Sequence, residues 1–387
     1  MQYDYICAAQ TTSMPVLKKI AVQNFRNIAF QELSFSPNVN CISGNNGEGK
    51  TNLMDAVWYL SMTKSAFTPS DRFNFRHGTD SFAISGVYEM GRPGDADTLP
   101  PVRFSVQADS KGDKKVRRDD KAYQRVSEHI GVLPIVMVSP SDISLVSESG
   151  DDRRRFVNSV LSQMDREYLA AMQQYNRLLA QRNSLLKEGP ADEALLDVFD
   201  ERMGEYAEVI SSAREAFIQD LVPVVKEHYE ALSGGRETVS ITYQTDQRKG
   251  PLKDRLKEAR EKDLCLKFTT AGVHRDDFIF KMDGYPIRRC GSQGQQKSFL
   301  VSLKFAQYEL MKRKYGFPPM LLLDDVFDKL DMGRIANLLG MVAGSDFGQI
   351  FITDSNKVRM SGIVDSLTAD RAYFEAVGGE FKEIRDA

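Results

Sequence analysis

The sequence has no strong excess of either charge and no long apolar run. Its 387 residues include 51 lysines and arginines against 54 acidic residues, so the formal net charge is −3. A chain with this balance can contact nucleic acid only through local basic patches. No apolar run approaches the roughly 20 residues of a membrane span, so a membrane protein is not expected.

Cysteine is also scarce. The four cysteines, Cys7, Cys41, Cys265 and Cys290, are scattered, and no two of them form a CxxC pair. This spacing disfavours a zinc site and a disulfide framework. The N-terminal segment lacks the basic-then-apolar layout of a signal peptide. With 42% hydrophobic and 27% charged residues, the composition predicts a reduced, cytoplasmic protein with a large core.

One glycine-rich segment carries a specific chemistry. It follows an apolar run at 39–43, precedes apolar residues at helical spacing, and reads Gly44-Asn45-Asn46-Gly47-Glu48-Gly49-Lys50-Thr51. This phosphate loop matches G-x-x-x-x-G-K-[ST], in which backbone N–H groups and a helix N-terminus bind phosphates. We predict an ATP site contacted by all eight residues, with Lys50 on the β- and γ-phosphates and the Thr51 hydroxyl on Mg²⁺. The simpler alternative is a glycine turn before a helix.

A second apolar run ends in two acids. Residues 320–323 are apolar, and Asp324 and Asp325 follow directly. A buried strand that delivers carboxylates at its end suits Mg²⁺ binding and water activation. We predict that Asp324 holds Mg²⁺ and that Asp325 polarises the attacking water. The alternative is a core strand capped by solvated acids. Thr353 and Asp354 end a further predicted strand, 349–354, at the same site.

Two segments are candidates for the γ-phosphate sensor of ABC-type ATPases, which opens a helix and acts across a dimer. Residues 232–236, Leu-Ser-Gly-Gly-Arg, are followed by a strand pattern, so no helix N-terminus faces Ser233. Residues 291–296, the signature segment, precede a helical apolar stripe instead. We therefore assign Ser292, Gly294 and Gln295 to the nucleotide of a second copy. The alternative for Ser292 is an ordinary helix cap.

Strands are predicted at 16–22, 28–35, 82–88 and 102–107 from the alternation of apolar and polar residues. Arg26 lies in the turn of the first hairpin and either leans toward the nucleotide or is a solvated turn arginine. A basic stretch at 111–125 is either a solvated hairpin or a contact for the DNA backbone.

Two further polar features are open to two interpretations each. His274 is predicted to be a hydrogen-bonded structural histidine or a contact to nucleotide or DNA. The run Arg153-Arg154-Arg155 faces the head or is solvated.

Two heptad-like stretches, 164–185 and 196–217, flank Gly189-Pro190. They predict an antiparallel helical arm, which would be about 50 Å long if each helix has roughly 35 residues. Arg182 interrupts the apolar seam and is expected at an edge or cavity. Residues 1–13 are expected to be a poorly ordered extension. The head comprises 14–150, with the phosphate loop, and 236–387, with the signature segment and the acid pair, and the arm occupies 151–235.

The chain is similar to one known family in several separate motifs. They are Asn24–Asn27, Gly44–Leu53, Ser139–Asp142, Arg153–Phe156, His274–Asp277, Ser292–Lys297 and Leu323–Asp331. In this combination they resemble the RecF family of bacterial recombinational-repair ATPases, which is related to SMC heads. The resemblance covers nearly all of residues 16–385 and implies an α/β ABC/SMC-like ATPase head, a mixed sheet lobe plus a phosphate-loop core, with an inserted short antiparallel helical arm.

The resemblance also implies a function. Members form an ATP-dependent homodimer that binds double-stranded, gapped or junction DNA during repair and replication restart, with RecR and RecO type partners that help load the recombinase. The Asp324-Asp325 pair, in place of the Asp-Glu of transporters, implies slow hydrolysis. Three alternatives stay open: an ABC ATPase of a defence or toxin system with a nuclease or protein partner, an SMC-like tether, and a transporter ATPase.

Overall fold

The computed structural model describes residues 13–91, 100–148, 150–188, 192–326, 347–356, 368 and 370–384. The chain divides into two compact units, one of residues 1–142 with 307–387 and one of residues 143–306. The predicted extension lies outside the described residues except for Ser13. Gly189-Pro190 and residues 327–331 of the last family motif also lie outside them.

The described part of the chain contains both strands and helices, which follow one another in runs of one kind rather than in strict alternation. The strands are β1 (Pro15–Phe25), β2 (Ile28–Ser34), β3 (Val39–Ser43), β4 (Ser81–Met90), β5 (Val102–Asp109), β6 (Lys114–Arg118), β7 (Lys121–Ala122), β8 (Ile135–Val138), β9 (Val239–Gln244), β10 (Asp277–Met282), β11 (Tyr285–Pro286), β12 (Met320–Leu323), β13 (Ile350–Asp354), β14 (Arg371–Val377) and β15 (Glu380–Ile384). The helices are α1 (Lys50–Met62), α2 (Ser144–Ser147), α3 (Gly150–Met164), α4 (Arg166–Lys187), α5 (Glu193–Ser233), α6 (Leu252–Glu258), α7 (Arg260–Leu266), α8 (Ile287–Cys290) and α9 (Gln293–Tyr315).

The first unit contains two sheets. An antiparallel sheet has the order β2-β1-β4-β5-β6-β7, and a mixed sheet has the order β15-β14-β3-β13-β12-β8. Every residue of β3, β8, β12 and β13 is buried, as expected for parallel strands covered on both faces. Buried and more exposed residues alternate along β4, as expected for a half-buried antiparallel strand. The strands predicted in these regions are confirmed.

Helix α1 packs into the core of this unit immediately after the phosphate loop. Leu53, Val57 and Leu60 are almost fully buried. The ring of Tyr59 contacts that of Phe82 edge-on at 5.3 Å between centroids, and Phe82 contacts Phe25 at 5.1 Å. This packing holds α1 in place, and the phosphate loop leads directly into the N-terminus of this helix.

The second unit is built on helices α3 to α5 and on the sheet β11-β10-β9. Helices α4 and α5 pack against each other, and α5 also packs along β9 and α6. The two helices differ in length, because α4 has 22 residues and α5 has 41, so the assumption of roughly 35 residues in each helix is wrong. A break at Asp165, whose carboxylate accepts the N–H of Tyr168 at 3.0 Å, separates α3 from α4. None of the helices in the described ranges is long and apolar enough to cross a membrane.

The predicted place of Arg182 at an edge or cavity is wrong. Its side chain is fully buried and donates to Asp200 at 2.8 Å, to Asp263 at 2.7 Å and to the hydroxyl of Thr269 at 2.9 Å. A guanidinium can be buried here because two carboxylates compensate its charge.

Candidate nucleotide-binding site

The phosphate loop is held in shape by the turn between β14 and β15. Gly379 N–H donates to the carbonyl of Glu48 at 2.9 Å, and Gly378 N–H donates to the Glu48 carboxylate. Gly44 has a φ of +155°, and a Cβ there would lie 2.6 Å from the carbonyl oxygen of Ala376. Because that neighbour is backbone, only glycine fits at this position.

Gly49 precedes α1 with a φ of +106°. A Cβ at this position would lie 2.7 Å from the side-chain amide of Asn27. Asn27 in turn accepts a hydrogen bond of 2.7 Å from the Asn52 amide. The turn after β1 therefore packs directly under the start of the helix.

Lys50 is buried and directed back over the loop. Its Nζ donates to the carbonyl of Gly44 at 2.7 Å and to that of Asn45 at 3.1 Å. The loop borders a cavity of about 330 Å³ lined by Asn46, Gly47, Gly49, Lys50, Thr51, Asn52, Pro140, Asp325 and Ser355. A cation and a helix N-terminus that face one polar cavity form an arrangement that suits a triphosphate.

The two predicted halves of the site meet at Thr51 and Asp324. The Thr51 hydroxyl donates to the Asp324 carboxylate at 2.9 Å, although 273 residues separate them in the chain. Asp324 is 2% exposed, and burial raises the pKa of its carboxyl despite hydrogen bonds from Thr353 and Thr51. A hydroxyl beside a carboxylate is an oxygen donor set that suits Mg²⁺. Thr51 and Asp324 are the residues that would hold the ion, and this role stays a prediction.

Thr353 connects the two acids. Its hydroxyl donates to Asp324 at 2.7 Å and accepts the N–H of Asp325 at 2.9 Å. Asp325 has a φ of +44°, an uncommon conformation for a residue with a side chain, and it lines the cavity. The sequence predicts Thr353 at the site, but it does not predict its hydrogen bonds to both acids. Asp354, its neighbour, is buried and accepts the N–H of Asn356 at 2.7 Å.

Replacing Thr353 with valine should therefore misplace both acids while preserving volume. We expect ATP hydrolysis to fall at least about tenfold, because each lost hydrogen bond to a charged or strained group contributes on the order of 1.5 kcal/mol. Thr353→Ser keeps the hydroxyl and should retain most of the activity. Steady-state phosphate release by the two variants, with thermal unfolding as the fold control, measures this, and equal rates would contradict the positioning role.

Arg26 is neither solvated nor among the residues that line the cavity. Its guanidinium contacts the buried carboxylate of Asp55 at 2.6 Å, the side-chain oxygen of Asn52 at 2.9 Å and the hydroxyl of Ser65 at 2.9 Å. Burial raises the pKa of Asp55, and the nearby guanidinium opposes that shift. The alternative of a solvated turn arginine is wrong. Contact with nucleotide stays a prediction.

Ser292 lies in the second unit, directly before α9. It is exposed, its Oγ accepts the N–H of Gln295 at 3.3 Å, and its own N–H donates to the Gln295 Oε1 at 2.7 Å. This reciprocal pair is a capping box.

The rejection of residues 232–236 is confirmed, because α5 ends at Ser233 and Gly234 caps its C-terminus. A helix C-terminus carries the wrong partial charge for phosphate.

His274 has hydrogen-bond partners on both ring nitrogens. Nδ1 pairs with the hydroxyl of Tyr175 at 2.8 Å and Nε2 with the carbonyl of Thr269 at 3.1 Å. Burial lowers the pKa of this imidazole to about 4. These contacts favour the structural interpretation of His274.

The arginine run 153–155 divides between the interior and the surface. Arg153 is buried and forms an ion pair with Asp277 at 2.8 Å. The side chain of Arg155 is 74% exposed and forms an ion pair with Asp152 on the same helix. Solvation therefore applies to the last of the three arginines but not to the first.

The basic stretch 111–125 forms the hairpin of β6 and β7. Lys114 points inward, contacting Asp71 at 2.6 Å. The exposed basic residues of the stretch are Lys111, Lys115, Arg118, Lys121 and Arg125. Asp113, Asp119 and Asp120 are exposed in the same stretch, so the accessible surface of this hairpin is cationic only by the excess of five basic residues over three acids.

Comparison with known proteins identifies the family. The model of the RecF/RecN/SMC N terminal domain matches residues 16–369. The DNA replication and repair protein RecF of Bacteroides fragilis is 42% identical over 372 residues, covering 96% of this chain and 99% of the relative. This chain belongs to the RecF family. RecF of Bacteroides thetaiotaomicron is 42% identical over 370 residues, covering 95% of this chain and 99% of the relative.

Solved structures agree with this RecF assignment. The recombination mediator protein RecF with ATPrS, of the RecFOR pathway, is 29% identical with a TM-score of 0.83, covering 97% of this chain and 100% of that chain. The Smc head domain from Pyrococcus furiosus is 13% identical with a TM-score of 0.56, covering 96% of each chain, which shows a shared fold alone. The predicted ABC/SMC-like ATPase head is confirmed.

Proposed function

We propose that this chain is an ATP-dependent DNA-binding protein of cytoplasmic recombinational repair and replication restart. An ATP-induced homodimer clamps DNA at gaps or junctions, slow hydrolysis releases it, and RecR and RecO type partners assist recombinase loading. The observation that carries the proposal is the 2.9 Å contact between Thr51 and Asp324. It joins the phosphate loop and the acidic strand end into one cavity. The names of the RecF relatives supply the link to DNA replication and repair.

The residues of the phosphate loop and the two acids each have a role in this proposal. The N–H groups of residues 44–49 and the ammonium of Lys50 bind the phosphates. Thr51 and Asp324 hold Mg²⁺, which neutralises charge on the phosphate oxygens when bound. Asp325 orients the attacking water, and its place on the cavity wall supports this role.

The proposed dimer depends on Ser292, which caps α9 and is exposed. An exposed helix N-terminus is suited to a phosphate held by another molecule. A nucleotide that binds the dimer more tightly than it binds the separated copies stabilises the dimer by mass action. ATP then controls assembly.

Sedimentation velocity with ADP and with a slowly hydrolysed ATP analogue tests this step. The wild type should dimerise only with the analogue. Ser292→Arg should still bind ATP, because the described cavity is lined by residues of the first unit. Its dimer affinity should nevertheless fall at least about tenfold, because the long side chain sterically blocks the approach to the cap. Dimerisation of Ser292→Arg at wild-type affinity would contradict the role of Ser292.

DNA binding is the second testable step. The exposed basic residues of the β6–β7 hairpin support it, since such side chains neutralise backbone phosphates. Gel shifts on duplex, single-stranded and gapped DNA should show tighter binding with ATP and a steep loss as salt rises. Substituting Lys115 and Arg118 with alanine should reduce the slope of log affinity against log salt by about two. ATP-driven dimers without DNA binding would favour the alternative with a nuclease or protein partner.

A further inference from the structure

The side chain of Gln295 lies between the signature segment and Glu237. Its Oε1 accepts the N–H of Ser292 at 2.7 Å, and its Nε2 donates to Glu237 Oε1 at 2.7 Å. A carboxylate only accepts hydrogen bonds, whereas an amide has one accepting and one donating end. Glu237 therefore dictates which end of the Gln295 amide faces Ser292.

We propose that Glu237 is a positioning residue for the signature segment. By fixing the Gln295 amide, it holds the N-terminus of α9 in the conformation in which Ser292 and the backbone of Gly294 can receive a γ-phosphate. The inference rests on the proposed function, because it assumes that Ser292 acts on the nucleotide of a second copy. Glu237 itself carries a negative charge, which is unsuited to phosphate contact, so its effect is transmitted through Gln295.

The position of Glu237 in the chain gives this contact a further consequence. It lies between the C-terminal cap of α5 at Gly234 and the start of β9. Its second oxygen accepts the hydroxyl of Tyr229, in the last turns of α5, at 3.4 Å. The next residue, Thr238, is fixed by its N–H to Asp283 at 2.8 Å. One carboxylate thus contacts both the 41-residue helix and the signature segment, so displacement of the helix end is communicated to Ser292.

Three substitutions separate positioning from charge. Glu237→Ala removes the acceptor, and Glu237→Asp keeps the charge but shortens the side chain by one methylene. Glu237→Gln keeps the length, and its carbonyl oxygen can accept from Gln295. The measurements are the dimer affinity in a slowly hydrolysed ATP analogue, by sedimentation, and the ATP affinity of the monomer, by calorimetry. Thermal unfolding establishes that each variant is folded.

We expect the alanine and aspartate variants to dimerise about tenfold more weakly, the scale of one lost hydrogen bond to a charged group. The glutamine variant should stay within about threefold of wild type, and monomer ATP affinity should be unchanged in all three. Wild-type dimerisation by Glu237→Ala, or equal loss in the glutamine and alanine variants, would overturn the inference. Failure of the wild type itself to dimerise would overturn the proposed function instead.

Discussion

Replacing Lys50 with methionine is expected to weaken ATP binding at least about 100-fold. The Lys50 ammonium donates to two loop carbonyls at 2.7 and 3.1 Å, so it already lies over the bend of the phosphate loop. Two charge-assisted hydrogen bonds to phosphate contribute roughly 3 kcal/mol or more together. At about 1.4 kcal/mol for each tenfold change in affinity, their loss corresponds to about two orders of magnitude.

Methionine is a suitable replacement because its unbranched side chain fills the buried path of the lysine stem. The fold should therefore survive, and the loss should appear in binding alone. Lys64→Met is a matched control, since Lys64 is exposed just beyond the end of α1. Calorimetric titration with a Mg²⁺-bound, slowly hydrolysed analogue should detect binding by the control and not by Lys50→Met. Unchanged affinity of Lys50→Met would remove Lys50 from the site.

The centre of the site could be predicted from sequence because its chemistry depends on local patterns. The phosphate loop is contiguous, and the apolar run before Asp324 indicates a buried strand with acids at its end. Parallel strands of one sheet deliver their C-terminal residues to the same edge, and β3 and β12 lie on either side of β13 in this sheet. The contact of Thr51 with Asp324 follows from these two patterns together, although the residues are distant in the chain.

The supporting contacts could not be predicted in the same way. Asp55 is an acid on the otherwise apolar face of α1, which signals a buried charge in need of a cation. Nothing in the sequence identifies Arg26 as that cation, because the pairing depends on how the turn after β1 packs on α1. The two hydrogen bonds of Thr353 likewise depend on the backbone conformation of Asp325.

The helical region shows where periodicity misleads. A single first helix of the arm predicted from residue 151 would cross Asp165, yet α3 ends at Met164 and α4 begins at Arg166. An aspartate three residues before Tyr168 is a recognisable N-cap signal, which could have placed the boundary. On the heptad-like pattern Arg182 interrupts an apolar seam. Periodicity shows which positions are polar, but it does not identify long-range partners such as Asp263 and Thr269.

Arg182→Met is expected to destabilise the protein by about 3–5 kcal/mol, the cost of leaving buried carboxylates without their cation. Asp200 and Asp263 are both fully buried beside Arg182. Asp200 keeps a second cation, because Arg260 contacts it at 2.7 Å. Asp263 keeps only the N–H and hydroxyl of Thr270, at 2.8 and 2.7 Å, among its recorded hydrogen bonds in the described residues.

We therefore expect the loss of Arg182 to affect Asp263 more than Asp200. Adding Asp263→Asn to Arg182→Met should recover part of the lost stability, since the uncompensated charge is then removed while an acceptor for Thr270 remains. Arg177→Met, an exposed substitution on the same helix, should change stability by less than about 0.5 kcal/mol. Urea unfolding followed by circular dichroism measures all three. A loss for Arg182→Met no larger than for Arg177→Met would mean that the buried network contributes nothing to folding.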